Sequence, residues 1–333
     1  MVWCTTKDGK VKRMNGNPVK GIRRVLGGFE RGEKRPNFLI VGAAKCGTTA
    51  VSSYLSQHPQ VYLSPIKEPK FISSHFLDFP LKGNGDDFVE SFTVKDIKEY
   101  RSLFRNAKRH KAIGEASVEN LYYYNKSIPI INAYLNSPKI VIILRNPVDR
   151  AFSAYKHLMR DNRETLSFEE ALDKEDERKA LGYEYLWFLK DVGFYHDQVK
   201  AYLDSFSEVK VLLFDDLQED TVGFMRELFR FLEVDDTFIP KVEIKFNASG
   251  PLRGSFYQLL FRATAFKGML YKFFALNGIP ESTMLSVIEN IRHSNVQPIH
   301  MDPATRARLS DLYRKDILKL GGLLDRDLSF WLN

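Results

Sequence analysis

The residues best placed to do chemistry gather in three short stretches. The first is GAAKCGTT, Gly42 to Thr49, which sets a lysine (Lys45), a thiol (Cys46), the glycines Gly42 and Gly47, and the hydroxyls of Thr48 and Thr49 within eight positions. A glycine turn that opens a helix points unpaired N–H groups at the loop, and a nearby lysine adds a mobile positive charge, so the stretch is built to bind an anion. The second is LRNPVDRAFS, in which Arg145 directly follows an apolar run. A guanidinium at the C-terminal end of a buried strand suits phosphate oxygens better than an ammonium does. A helix starting near Val148 could bring Ser153 back to share that phosphate. The third is SPIKEPKF, where Pro65 and Pro69 restrict the turn that presents Glu68, and Lys67 and Lys70 flank its carboxylate and keep it ionised.

These stretches need a scaffold, and the sequence supplies one. Phe38 to Val41 is an unbroken apolar run of strand length, ended by Gly42. Beyond Thr49, Val51, Tyr54 and Leu55 have helical spacing, and Gln57, His58 and Pro59 close the helix. Gly42 and Gly47 have the spacing of a Walker loop, but Thr48 stands where its lysine should follow, and Lys45 lies two places before the second glycine. Cys46 reads as a small filler, although helix N–H groups could lower its pKa. Lys139 to Leu144 and Val209 to Phe214 are further buried strands, and Val61 to Leu63 is a shorter one. Helical spacing is found over Asp96 to His110, Tyr122 to Leu135 with an interruption at Pro129, Val148 to Met159, and Thr165 to Leu172 with a Ser167–Glu170 capping box. It continues through the aromatic stretch Leu181 to Phe206, Thr221 to Leu232, and Pro303 to Leu320, after which LSFWL should dock on the body. Residues 72–95 read as a surface excursion. Short buried strands separated by helices predict an α/β fold with a parallel sheet covered on both faces.

The chain has 333 residues, enough for one large α/β domain with insertions. Its net charge of +7 lies wholly in residues 1–35, which hold ten Lys or Arg against three Asp or Glu, so the other 298 residues balance. That leader reads as a flexible basic arm before a single domain over residues 36–333. It lacks the aromatic interleaving of a base-stacking platform, so nucleic acid is not an expected partner. Two cysteines and seven histidines show neither a disulfide framework nor metal-ligand spacing, and no metal is expected. No apolar region follows the basic start as in a secretory signal, and no run is long enough to span a membrane. The segment 250–280, rich in Phe, Leu and Tyr, reads as a cap over the cleft, with a core helix or a membrane-surface contact as alternatives.

GAAKCGTT resembles the 5′-phosphosulfate loop of sulfotransferases that use 3′-phosphoadenosine 5′-phosphosulfate (PAPS), and VIILRNPVDRAFSAY resembles their 3′-phosphate site. The two occur in the expected order, and the resemblance, to the bacterial and heparan-sulfate-type branch, runs from about Asn37 to Trp331. It implies a P-loop-like three-layer sandwich with a central parallel sheet and helical insertions forming the acceptor cleft. It implies that Lys45, Cys46, Gly47, Thr48 and Thr49 surround the 5′-phosphate and sulfate, and that Arg145 and Ser153 hold the 3′-phosphate. Arg253, in NASGPLRG, resembles the later loop that folds over the adenosine. Glu68 corresponds to the glutamate that serves as catalytic base, with His75 close enough in sequence to be a reserve. Lys70 stands where some of these enzymes have histidine, and Lys67, Lys70 and Glu115 are expected on the acceptor side. Glu115 opens GEASVE, which has Ala116 and Val118 where the branch has lysine and proline; holding the nucleotide loop is its alternative role. Many eukaryotic carbohydrate sulfotransferases are Golgi-anchored; without such an anchor, a cytoplasmic enzyme is expected.

The resemblance implies as acceptor a sugar or another small molecule, sulfated on a hydroxyl or amine; a carbohydrate, an alkaloid-like metabolite and a phenol all fit the aromatic content. Two other readings compete. VLLFDD, Val211 to Asp216, looks like a strand ending in a magnesium-binding aspartate and would suit an ATP-dependent kinase. A nucleotide-binding module without catalysis would need Lys45 or Glu68 to be missing, and both are present.

Overall fold

Residues 3–5, 11–13, 29, 32–135, 137–242 and 299–333 are described by the structure, a computed structural model. Near the start, β1 (Trp3–Thr5) and β2 (Val11–Arg13) pair antiparallel. The central sheet has five parallel strands: β3 (Phe38–Gly42), β4 (Val61–Leu63), β5 (Ala112–Glu115), β6 (Lys139–Leu144) and β7 (Val209–Leu213), in the order β4-β5-β3-β6-β7. Every residue of β3 and all but the first of β6 are buried. Successive strand side chains point to opposite faces, so full burial means that both faces are covered, and this is the α/β sandwich expected from the unbroken apolar runs.

The chain runs from β3 out to the β4 edge, returns through β5, and then crosses to β6 and β7. The direction of winding therefore reverses beside β3, and the crevice beyond the C-terminal ends of β3 and β6 is where open α/β sheets bind ligands. Two helices start there: α1 (Thr48–Ser56) after β3, and, further along, the helix that follows β6. Between them come α2 (Asp86–Ser91), α3 (Ile97–Ser102), α4 (Glu119–Tyr122) and α5 (Tyr124–Leu135). The helix after β6 is α6 (Pro147–Arg160), capped by the Asn146 side chain on the Val148 N–H at 2.9 Å with proline in its first turn. Then follow α7 (Phe168–Asp173), α8 (Glu175–Ala180), α9 (Tyr195–Ser205), α10 (Phe214–Glu219), α11 (Thr221–Phe231) and α12 (Pro303–Leu324). The Ser167–Glu170 capping box of α7 is present, with both halves formed. Trp331, in the final LSFWL, is buried against the body.

Three local expectations differ from the structure. The interruption expected at Pro129 falls earlier, at Tyr123, and Pro129 lies inside α5. Asp96 to His110 is helical only over α3, which then tightens into turns through Leu103 N–H to Tyr100 C=O and Phe104 N–H to Arg101 C=O bonds. Of Leu181 to Phe206 only α9 is α-helix. Gly182 takes φ +79°, and the aromatic run Tyr185–Trp187 forms a short buried turn in which Trp187 Nε1 donates to Asp86 at 2.9 Å. Asp86, fully buried, ties the excursion of residues 72–95 into the body.

Candidate active site

The loop between β3 and α1 is shaped by two residues in the left-handed region, Lys45 (φ +69°) and Gly47 (φ +84°). Gly47 is the N-cap of α1 and offers no side chain, so the first N–H groups of the helix are left for a ligand. Glycine is also required for space, since a Cβ at Gly47 would stand 2.7 Å from the Phe214 ring. Thr48 is buried and Thr49 exposed, and both line, with Lys45, a cavity of about 860 Å³. Burial, then the neighbouring Arg160 and Lys67, lower the Lys45 ammonium to about 8. Cys46 points the other way, fully buried and 3.8 Å from the Tyr195 hydroxyl. Burial pushes its thiol up to about 11, the reverse of activation by the helix N-terminus.

Arg145, at the end of β6, lays its guanidinium over the Phe214 ring at 4.7 Å. Ser153 reaches the cavity from the second turn of α6. Phe214 thus touches both motifs: it packs under the glycine loop and carries Arg145. Sequence reading singled out the neighbouring aspartates of VLLFDD instead, and these are otherwise engaged. Asp215 accepts from Trp331 Nε1 at 3.2 Å, and Asp216 is paired with Arg326.

Glu68 lines the same cavity. It sits at φ +54° and Lys70 at φ +56°, on either side of Pro69, so two non-glycine residues hold left-handed backbone in one turn. Underneath, the Lys70 N–H donates to Ser117 Oγ at 3.1 Å, and Ser117 Oγ donates to Glu115 at 2.7 Å. Burial pushes Glu68 up, but Lys67, Lys70 and, further off, Lys45 outweigh it and hold the carboxyl below its usual range. Lys67 contacts Glu68 at 3.0 Å. Lys70 Nζ is caged by Glu184 at 3.3 Å, Glu119 at 3.9 Å and Glu68 at 4.0 Å.

Of the expected site residues, Cys46, Arg145, Glu115 and His75 are not among those lining the cavity. Glu115 is 1% exposed, and burial raises its carboxyl to about 8; through Ser117 it supports the Glu68 turn rather than an acceptor or the nucleotide loop. His75 has both ring nitrogens in use, one with the Phe71 carbonyl at 2.8 Å and one with the Tyr134 hydroxyl at 3.0 Å. Arg253 and the segment 250–280 lie outside the described residues.

His157 was missed by sequence reading. It lines the cavity four residues after Ser153, on the same face of α6, and that spacing was the available signal. Its Nδ1 accepts from Arg160 at 2.8 Å and its Nε2 faces Asp161 at 3.4 Å. Burial first, then Lys45 and Arg160, hold the imidazole neutral well below its usual range. Among the described residues, no three His, Cys, Asp or Glu side chains gather to hold a metal ion, and no helix is long and apolar enough to cross a membrane.

The chain is similar in sequence and fold to known proteins. A sulfotransferase from Alicyclobacillus acidocaldarius is 37% identical, with a TM-score of 0.71 over 90% of this chain and 100% of that one. The membrane-associated sulfotransferase kil1 of Dictyostelium discoideum is 32% identical over 36% of this chain and 22% of its own length. The human bifunctional heparan sulfate N-deacetylase/N-sulfotransferase 2 is 32% identical over 38% of this chain and 13% of its own. The chain thus spans less than a quarter of each of these two curated relatives. The model of the sulfotransferase family matches residues 36–238, which hold β3 to α11 and every cavity-lining residue named above. On that match the chain belongs to the sulfotransferase family.

Proposed function

We propose that this protein transfers the sulfuryl group of PAPS to a hydroxyl or amine of a carbohydrate or small-molecule acceptor. The observation that carries the reading is that Lys45 and Glu68, from two separate loops, line one cavity together with Thr48, Thr49 and Ser153. In the proposed step the acceptor oxygen or nitrogen attacks sulfur in line, the bond from sulfur to the bridging phosphate oxygen breaks, and 3′-phosphoadenosine 5′-phosphate (PAP) departs. Lys45 and the N–H groups at the start of α1 stabilise the charge that grows on the leaving phosphate. Glu68, already ionised, takes the acceptor proton. Arg145 and Ser153 are assigned to the 3′-phosphate.

Calorimetry tests the donor assignment. PAP should bind far more tightly than 5′-AMP, which lacks the 3′-phosphate. Arg145→Ala should erase most of the difference, because a charge-assisted bidentate contact contributes about 1.5–3 kcal/mol. Equal affinities for the two nucleotides in the unaltered protein would refute the assignment.

A further inference from the structure

We infer, resting on the sulfuryl-transfer reading above, that the acceptor is an uncharged hydroxyl compound with an apolar face and not a polyanionic glycan. Besides Lys45, three cations among the described residues line the cavity, and each already faces a carboxylate. Lys67 lies 3.0 Å from Glu68. Lys70 is enclosed by Glu184, Glu119 and Glu68 at 3.3–4.0 Å. Arg163 pairs with Asp86 and, at 2.8 Å, with Glu184. A sulfated or carboxylated sugar chain in this part of the cavity would have to draw a cation from its pair, and for Lys70 and Arg163 that strands buried carboxylates. Glu184, which lines the cavity, is held between Lys70 and Arg163.

The rim has the opposite character. Phe88 on α2 and Phe92 at its C-terminal cap line the cavity with Val89 between them. The two rings meet edge to face with centroids 4.6 Å apart, yet they are 61% and 56% exposed. A paired, exposed aromatic surface beside a binding cavity marks a contact for an apolar ligand face. An acceptor whose apolar face lies on Phe88 and Phe92 can turn its hydroxyl to Glu68, while the paired charges ask nothing of it.

The test uses the full chain with PAPS and two probe acceptors, naphthol and N-desulfated heparin, read by mass spectrometry as the gain of one sulfate. Naphthol should be the preferred acceptor, with a KM unchanged between low and high salt, because no ion pair joins it to the protein. Phe92→Ala should raise the KM for naphthol about fivefold to tenfold with kcat within about twofold, the loss expected for one aromatic contact. Preferred transfer to heparin, transfer to neither acceptor while PAP binds, or a KM unmoved by Phe92→Ala would each overturn the inference. Failure to bind PAP would overturn the sulfuryl-transfer reading itself, and this inference with it.

Discussion

Lys70→Met is the most informative single change, because the ammonium of Lys70 is what allows several carboxylates to crowd beneath the site. The substitution keeps most of the aliphatic stem and deletes the charge. The Lys70 side chain is 11% exposed, and its neighbours Glu184 and Glu119 are 7% and 1% exposed. Glu119 Oε2 accepts no hydrogen bond, so Lys70 at 3.9 Å is what balances it. Breaking a buried pair from one side costs about 3–5 kcal/mol. Burial already raises the Glu119 pKa, so in the variant this group can protonate and limit the damage, which places the expected loss near about 3 kcal/mol at neutral pH. The sign with pH follows. Without Lys70 the folded-state pKa of Glu119 rises further above its unfolded value of 4.5, so stability is retained below that value and lost as pH rises through the folded one. Urea melts of the two proteins should therefore diverge from acid to neutral pH. Adding Glu119→Gln to the variant should restore at least about 1 kcal/mol, as coupled neighbours do in a double-mutant cycle. A neutral-pH difference under about 1 kcal/mol, or one that persists undiminished at pH 4.5, refutes the reasoning.

Glu68→Gln should lower kcat at least about a hundredfold while PAP affinity stays within about threefold, since the change removes a base and leaves the donor wall intact. An unaffected kcat would refute the assignment of Glu68 as the base. Lys45, lowered to about 8, is charged below that pH and neutral above it. Calorimetric affinity for PAP should fall as pH rises through about 8, and a flat profile across that window would contradict a direct contact. A chain beginning at Lys34 should still fold, because residues 36–333 are proposed to form one domain. It loses Phe29, whose ring lies 6.2 Å from Tyr100 and 6.5 Å from Phe104, and the Glu33 partner of Arg101. An aromatic contact of about 1 kcal/mol corresponds to a drop of only a few degrees in Tm, so a collapse would show that the leader is integral.

The parts of this fold that could be read from sequence are those governed by local rules. β3 and β6 announce themselves as unbroken apolar runs, and α7 by its capping box. The anion loop was legible because a glycine N-cap and a nearby lysine are adjacent in the chain. What escaped depends on contacts between distant segments. Glu115 was read by resemblance as an acceptor residue or a support of the nucleotide loop; its partner Ser117 is unremarkable in sequence, and only folding sets that pair beneath Lys70. The buried turn at Tyr185–Trp187 kept aromatic, helix-like spacing but was diverted by an aspartate about a hundred residues earlier. VLLFDD drew attention to its charged pair, whereas the neighbouring phenylalanine reaches the site, since a ring's role as a spacer has no signature in one dimension.

The contacts of Trp331 also bear on the order in which the molecule is completed. Its carbonyl accepts from the side chain of Asn146, beside Arg145, at 3.0 Å, and its indole donates to Asp215 at the start of α10. Nearby, Arg326 holds Asp216. On the ribosome the segment around Arg145 emerges well before Trp331, so these supports cannot form until the chain has grown through Trp331. The β3 loop, by contrast, can be braced by α1 as soon as that helix appears. The loop after β3 and the segment around Arg145 therefore gain their supports at different times, the second only once Trp331 has emerged.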